Sequence, residues 1–222
     1  MDIENAVQLP SGLWGKKDDL SSFFVKKSVR ALVLSDSHGS ADVVSAVLSA
    51  NSSADILIFL GDGISDIAEN ASILPSVAAF VRGNNDPSTW LLDAKCKTPR
   101  LKIPRILSFS IAGVPLILTH GDSFSFFDPM SDSVELAMAN GAAAVLSGHT
   151  HRSAETSKNG VISLNPGSIS RPRGCPASFL TLNFERGKLI ERTFFQIEKN
   201  GRNSPFLFTP FIPKEFAGDW IF

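Results

Sequence analysis

Val29-Arg30-Ala31-Leu32-Val33-Leu34-Ser35-Asp36-Ser37-His38-Gly39-Ser40 is the stretch whose reading decides the fold. Most of its first seven residues are apolar or small, and they do not alternate with polar ones. A strand covered on both faces has that pattern, which points to a parallel strand inside an α/β sheet. The strand runs out into Asp36 and His38, with Gly39 and Ser40 opening a helix. A carboxylate and an imidazole two residues apart then point the same way from the carboxyl end of a buried strand. In open α/β sheets ligands bind at that edge. Asp36 and His38 are therefore read as the first two ligands of a metal centre.

Working outward, the pattern repeats. Ser40 is an N-cap candidate for a helix over 40–51, whose apolar face is Val43, Val44, Val47 and Leu48. A second buried strand, 54–60, ends in Gly61-Asp62-Gly63. A short helix over 64–73 leads to a third strand, 76–81, which ends in Arg82-Gly83-Asn84-Asn85-Asp86. Three successive β-α units with polar strand ends predict a parallel sheet. Strands over 106–112 and 115–119 read as a hairpin about Gly113, ending in His120-Gly121. A helix over 131–140 and a buried strand over 142–146 follow, the strand ending in Gly148-His149-Thr150-His151. Beyond that the chain changes character. Asn159-Gly160 suits a tight turn between strands at 152–157 and 161–164, and Arg186-Gly187 one between strands at 178–184 and 188–197.

The totals exclude several classes. The chain has 222 residues, 43% of them hydrophobic, enough for a substantial core. A net charge of −1 argues against a whole-chain electrostatic fit to nucleic acid or to an anionic membrane. No apolar run approaches the ~20 residues that span a bilayer. The N-terminus lacks a basic segment followed by an apolar run, so no signal peptide is expected. The two cysteines, Cys96 and Cys175, are too few for a disulfide framework, and a cytoplasmic protein with free thiols is the expectation. Residues 1–28 read as an N-terminal extension and 29–197 as one domain. Residues 198–222 read as an aromatic tail without helical or strand period, packed on the domain; a lid or a homo-oligomer contact also fits. The basic stretch Lys95, Lys97, Arg100, Lys102 and Arg105 fits a solvated loop or a patch attracting an anion. Phe124, Phe126 and Phe127 fit a packed loop or a wall of the cleft.

The four histidines, His38, His120, His149 and His151, all follow predicted strands, and three of them adjoin a glycine. With Asp36, Asp62 and Asn84 they make a mixed carboxylate, amide and imidazole donor set. That set suits Mn, Fe, Ni or Zn better than Ca or a thiolate-bound metal. It is larger than one open site needs, and fits two metal ions sharing a carboxylate.

Asp36-x-His38, Gly61-Asp62, Gly83-Asn84-x-Asp86, His120-Gly121 and Gly148-His149-x-His151, in that order, resemble the motifs of calcineurin-like metallophosphoesterases. The match covers 29 to about 197. Asn165-Pro166-Gly167-Ser168 and Arg171-Pro172-Arg173 are similar to the small prokaryotic phosphodiesterases, a subgroup that also resembles the retromer scaffold subunit. The resemblance implies a four-layer α-β-β-α sandwich of two mixed sheets. It implies two divalent cations, Mn first among the candidates, with Asp36, His38, Asp62 and His151 on one. Asp62 would be shared, and Asn84, His120 and His149 would complete the other. It implies hydrolysis of a small phosphodiester or activated monoester by in-line attack of a metal-bridging hydroxide, with Asp62, Asn84, Asp86 and His149 in the catalytic set. Asn85, Arg171 and Arg173 would meet the substrate. A non-catalytic scaffold and a nuclease are the rival readings. One position departs from the family: many members carry His between the Asn and Asp of the third motif, where it protonates the leaving group, and here it is Asn85. The role of Asp86, which orients that His elsewhere, then falls open to hydrogen bonding with a ligand or loop.

Overall fold

The computed structural model describes residues 6–90, 101–199 and 206–213. The chain opens with the strands β1 (Ala6–Gln8) and β2 (Leu13–Lys16) and helix α1 (Lys17–Val25). The predicted β-α units follow as β3 (Ser28–Leu34), α2 (Ala41–Ala50), β4 (Ile56–Phe59), α3 (Ile64–Glu69) and β5 (Val77–Phe80). A short pair, β6 (Thr89–Trp90) and β7 (Leu101–Lys102), precedes the hairpin β8 (Ile106–Ile111) and β9 (Val114–Thr119). Helix α4 (Pro129–Ala139) leads to β10 (Ala144–Leu146), β11 (Ser153–Lys158) and β12 (Val161–Pro166). Strands β13 (Ser178–Glu185), β14 (Lys188–Lys199) and β15 (Phe206–Phe211) close the described chain.

Two mixed sheets result. One runs β1-β2-β5-β4-β3-β13-β14-β15, with β3, β4 and β5 parallel at its centre. The other runs β11-β12-β10-β9-β8, with β10 parallel to both its neighbours. Side chains of β3 divide between two cores because successive residues face opposite sides of a sheet. Ala31 and Val33 point to the core between the sheets, with Ile58, Ala79, Leu116, Leu118 and Leu146. Leu32 and Leu34 point outward, beneath Val44, Val47 and Leu48 of α2 and Ile67 of α3. On the far side Ile117 and Val145 lie under Val134 and Ala137 of α4. This is the four-layer α-β-β-α sandwich. Burying each such Leu, Val or Ile side chain contributes about 1.5–3 kcal/mol, which is why β3 and β4 need no polar face.

Local signals explain the connections. Asn159 and Gly160 have φ of 55° and 78°, and Arg186 and Gly187 of 46° and 81°, as primed hairpin turns require. Helix α4 starts two residues before the predicted 131, because Asp128 caps it, accepting a 3.0 Å hydrogen bond from the Ser131 amide, with Pro129 in the first turn. Ser40 makes no side-chain cap to α2. The carboxylate of Asp66 does that work instead, accepting from the amides of Gly39 at 2.9 Å and Ser40 at 3.2 Å.

The flanking segments join the sheet. The stretch before residue 29, read as an extension, supplies β1 and β2, with Trp14 fully buried beside Phe80. The stretch after 197, read as lacking a strand period, supplies β15, which pairs with β14 and rests Phe208 against Phe179. Its polar and apolar residues do not alternate, so pairing rather than pattern makes it a strand. Arg105, read with the basic loop, is ion-paired to Asp122 at 2.6 Å. Cys96, Lys95, Lys97 and Arg100 lie outside the described residues, and Cys175 is a free thiol. Among the described residues no helix is long and apolar enough to cross a membrane.

Candidate metal centre

The carboxyl ends of β3, β4 and β5 in one sheet meet those of β9 and β10 in the other. Asp36, Asp62 and Asn84 leave the first set of strands; His120 and His149 leave the second. His151 enters β11. Within each sheet the neighbouring loops are tied by backbone hydrogen bonds, from Asp36 to Gly61 at 2.9 Å, from His38 to Asp62 at 3.1 Å and from Gly148 to His120 at 2.9 Å. Across the seam the His149 amide donates to Asp36 Oδ2 at 3.1 Å.

The structure brings six of the seven sequence-predicted ligands into one network. Oδ1 of Asp36 lies 3.1 Å from Nε2 of His151 and 3.7 Å from Nε2 of His38, and those two nitrogens are 3.1 Å apart. Oδ2 of Asp62 sits between Nε2 of His120, at 3.5 Å, and Nε2 of His38, at 3.8 Å. Nδ1 of His149 lies 3.3 Å from Nε2 of His120. Two groups have donor atoms all within 4.8 Å of one another: Asp36 with His38 and His151, and Asp36 with Asp62 and His120. Asn84 is exposed and lines the same cleft, a cavity of about 370 Å³ that also takes in Asn85, Arg171 and Arg173.

The donor set fits divalent cations. Oδ1 of Asp36 is buried without a hydrogen-bond partner. Leaving a buried carboxylate oxygen unpaired is costly unless something positive meets it. The imidazoles are aimed to match. Nδ1 of His120 pairs with the Leu60 carbonyl at 2.7 Å, and Nδ1 of His151 with the Arg171 carbonyl at 2.6 Å. A carbonyl only accepts, so each ring carries its proton on Nδ1 there and turns Nε2 into the cluster. Burial pushes the Asp36 carboxyl up, but the imidazoles of His151 and His38 outweigh it and hold it far below the usual carboxylate range. Asp62 is likewise raised by burial and lowered further by His120 and the Asn85 amide, to about 2. Burial lowers His120, yet Asp62 and Asp36 together raise it above its ordinary value; burial and the His120 charge push His149 down.

Five of these residues are held in left-handed backbone conformation: Asp36 at φ 56°, His38 at 44°, Asp62 at 60°, His149 at 66° and His151 at 58°. That conformation costs a non-glycine residue about 1–2 kcal/mol, and it clusters where geometry serves function. Polar side chains hold the loops in place. Asp86 accepts four backbone hydrogen bonds: from Asp62 at 2.6 Å and Gly83 at 3.0 Å on one oxygen, and from Gly63 at 2.9 Å and Ile64 at 3.0 Å on the other. It stands behind the Asp62 turn and clamps it. Asn85 gives Asp62 its amide N–H at 2.9 Å and its side-chain Nδ2 at 2.6 Å. The Arg171 guanidinium donates to the His38 carbonyl at 3.3 Å, and the Arg173 amide to the His151 carbonyl at 3.0 Å.

Sequence reasoning missed several of these supports. Asp66, Ser168 and Ser170 brace the Asp36–His38 turn: Ser168 Oγ donates to the Asp36 carbonyl at 2.7 Å and Ser170 Oγ to that of Ser37 at 2.7 Å. Asn165, read within the Asn165-Pro166-Gly167-Ser168 motif but given no role, donates to the Gly148 carbonyl at 2.7 Å. Nothing local marks Asp66 or Ser170, and the motif that holds Asn165 and Ser168 does not reveal what they bond, because the partners lie 17 to 133 residues away.

Two mixed sheets packed face to face, with carboxylates and imidazoles gathered where their strand ends meet, define a class of metal-dependent hydrolases. Residues 29–187 match the calcineurin-like phosphoesterase superfamily domain, and the chain belongs to that superfamily. A probable metallophosphoesterase of Methanothermobacter thermautotrophicus is 29% identical over 164 residues, covering 71% of this chain and 87% of that protein. Among solved structures, a predicted phosphoesterase of Streptococcus pneumoniae superposes with a TM-score of 0.58 at 23% identity, covering 84% of this chain and 99% of the other. Vacuolar Protein Sorting 29 of Cryptosporidium parvum superposes with a TM-score of 0.62 at 16% identity, covering 85% of this chain and 100% of the other. The superfamily makes the chain a relative of hydrolases acting on phosphate esters; the two structural likenesses speak for the fold.

Proposed function

We propose that the protein hydrolyses a small phosphodiester, or an activated phosphomonoester, with the help of two divalent cations, Mn first and Fe, Ni or Zn as alternatives. The observation that carries this is the orphaned, buried Oδ1 of Asp36 facing two imidazole nitrogens at the joint of both sheets. Asp36, His38, Asp62 and His151 would hold one ion; Asp62, Asn84, His120 and His149 would hold the other. Such a pair neutralises charge on the phosphoryl oxygens and makes water acidic enough to attack near neutral pH. The chain's own part is position. Left-handed turns and the Asp86 clamp fix the donors before substrate arrives, and phosphoryl transfer asks mainly for such placement and charge. Arg171 and Arg173 line the cleft, and their guanidiniums would meet a phosphate oxygen. A scaffold on the same fold is the rival. It is disfavoured because no candidate ligand position has been lost and five ligands keep a strained backbone.

Purified protein should contain Mn, Fe, Ni or Zn by elemental analysis. With Mn²⁺ added it should hydrolyse bis-p-nitrophenyl phosphate, and Asp62→Ala should reduce kcat by at least about a hundredfold, since losing a group that only orients a metal ligand already costs about 10–100-fold. No turnover of this diester, of p-nitrophenyl phosphate or of single-stranded DNA with any of these metals would favour the scaffold; preferential cleavage of DNA would make it a nuclease.

A further inference from the structure

We propose that a hollow beside the metal cleft is a subsite for a flat aromatic ring carried by the phosphate ester, an inference that rests on the phosphoesterase reading above. The hollow encloses about 230 Å³, and its walls include Phe124, Phe126, Pro129, His149, Arg152 and Arg173. His149 and Arg173 also line the metal cleft, so the two spaces share a wall and one ligand can occupy both. The chemistry of the walls divides accordingly. On the cleft side are the cation donors and guanidiniums that suit a phosphoryl group. On the other side are two phenyl rings and a proline, with arginines whose planar guanidiniums stack on aromatic faces.

The aromatic wall is built in advance. A Cβ at residue 121 would lie 3.1 Å from the Phe124 ring, so Gly121 lets that ring lie against the chain directly after His120. The Phe124 amide donates to the Gly121 carbonyl at 3.0 Å, the Ser125 amide to the Asp132 carboxylate, and the Phe127 amide to Ser125 Oγ at 3.2 Å. Arg105 anchors Asp122 at the start of the loop. Yet this braced loop leaves Phe126 64% exposed at the rim of a polar cleft. Its ring meets Phe127 edge-on, with centroids 5.8 Å apart, and a ligand ring would extend that aromatic wall toward the metal cleft. A phosphate ester of a small aliphatic alcohol would leave the hollow unfilled.

The test uses phosphonates, which have no hydrolysable ester bond, and measures binding by titration calorimetry to the full chain supplied with Mn²⁺. Phenylphosphonate should bind about tenfold more tightly than methylphosphonate, and more tightly than cyclohexylphosphonate, which has comparable apolar bulk without a flat face. Phe126→Ala, an exposed position where truncation leaves the core untouched, should bring phenylphosphonate to within about twofold of methylphosphonate while leaving methylphosphonate unchanged. Ile106→Ala, which truncates an exposed apolar side chain lining a different hollow, should keep the preference. Equal affinity for phenyl and methyl, or for phenyl and cyclohexyl, in the unaltered protein would overturn the aromatic subsite while leaving the phosphoesterase reading intact. So would a preference that survives Phe126→Ala. Binding of none of the three phosphonates would overturn the phosphoesterase reading, and the subsite with it.

Discussion

Two residues of the third motif carry the most specific chemistry. Asn85 stands where many relatives have a proton-donating His, and its side chain is engaged with Asp62 rather than free to move a proton. An amide has no proton to give at useful pH. General-acid help, typically about 10²–10⁴-fold, is therefore absent from this position. Aryl esters with acidic phenols should be turned over far faster than those with basic ones, and a rate independent of leaving-group pKa would show that another acid serves. Both oxygens of Asp86 are engaged by backbone amides around the Asp62 turn, which makes it a positioning residue in the proposed mechanism. Asp86→Ala strands four backbone amides and frees the Asp62 turn. It should lower stability by about 3 kcal/mol in thermal or denaturant melts. It should also weaken metal retention, read by elemental analysis after dialysis, whereas a purely catalytic residue would leave both unchanged.

At the scale of elements, the site depends on how closely the strand-end loops approach one another. A Cβ on residue 148 would sit 2.0 Å from Ser35 Oγ and 2.9 Å from Asp36 Oδ2. The loop after β10 thus touches the one after β3 without a side chain between them. Gly148→Ala should cost roughly 1–3 kcal/mol of stability by overpacking and, by displacing Asp36, should reduce metal uptake. A variant that melts like the parent and retains metal would show that the loops yield. Helix α4 acts through the second sheet; its Asp128 cap and the covered Ile117 and Val145 hold that sheet so that His120 and His149 arrive together.

For the whole molecule, the same charges that suit a metal make the metal-free protein sensitive to pH. Asp62 is held at about 2 against an ordinary 3.8, and Asp36 lower still. A depressed carboxyl stabilises the fold above the unfolded value and loses that contribution as pH falls through the folded one. Asp62 alone is then worth about 2 kcal/mol, lost between roughly pH 4 and 2. His120 is raised, so its contribution is complete below about 6.5 and fades as pH climbs through its folded value; His149 is lowered and does the reverse. Around neutrality the two histidines oppose each other. Melting temperature of the metal-free protein should fall steeply below pH 4, as Asp62 gains its proton. Cations compete with the His120 proton. The stabilisation gained on adding Mn²⁺ should therefore grow with pH until His120 has lost its proton, with proton release visible by calorimetry in buffers of different ionisation heat. A Mn²⁺ effect independent of pH would place His120 outside the centre.

The sequence by itself determined the parallel strands, their apolar runs, and the order in which Asp36, His38, Asp62, Asn84, His120, His149 and His151 follow strand ends. Burial on both faces and tight turns are local properties, written in composition and spacing. Only the tertiary structure decided which nitrogen each histidine presents, that Asp86 clamps the Asp62 turn, that Asp66, Ser168 and Ser170 brace the Asp36–His38 turn while Asn165 holds the Gly148 carbonyl, and that residues 6–8, 13–16 and 206–211 become strands. Those outcomes depend on partners distant along the chain, and a hydrogen bond across more than a hundred residues leaves no mark on either neighbourhood until the two sheets close on each other.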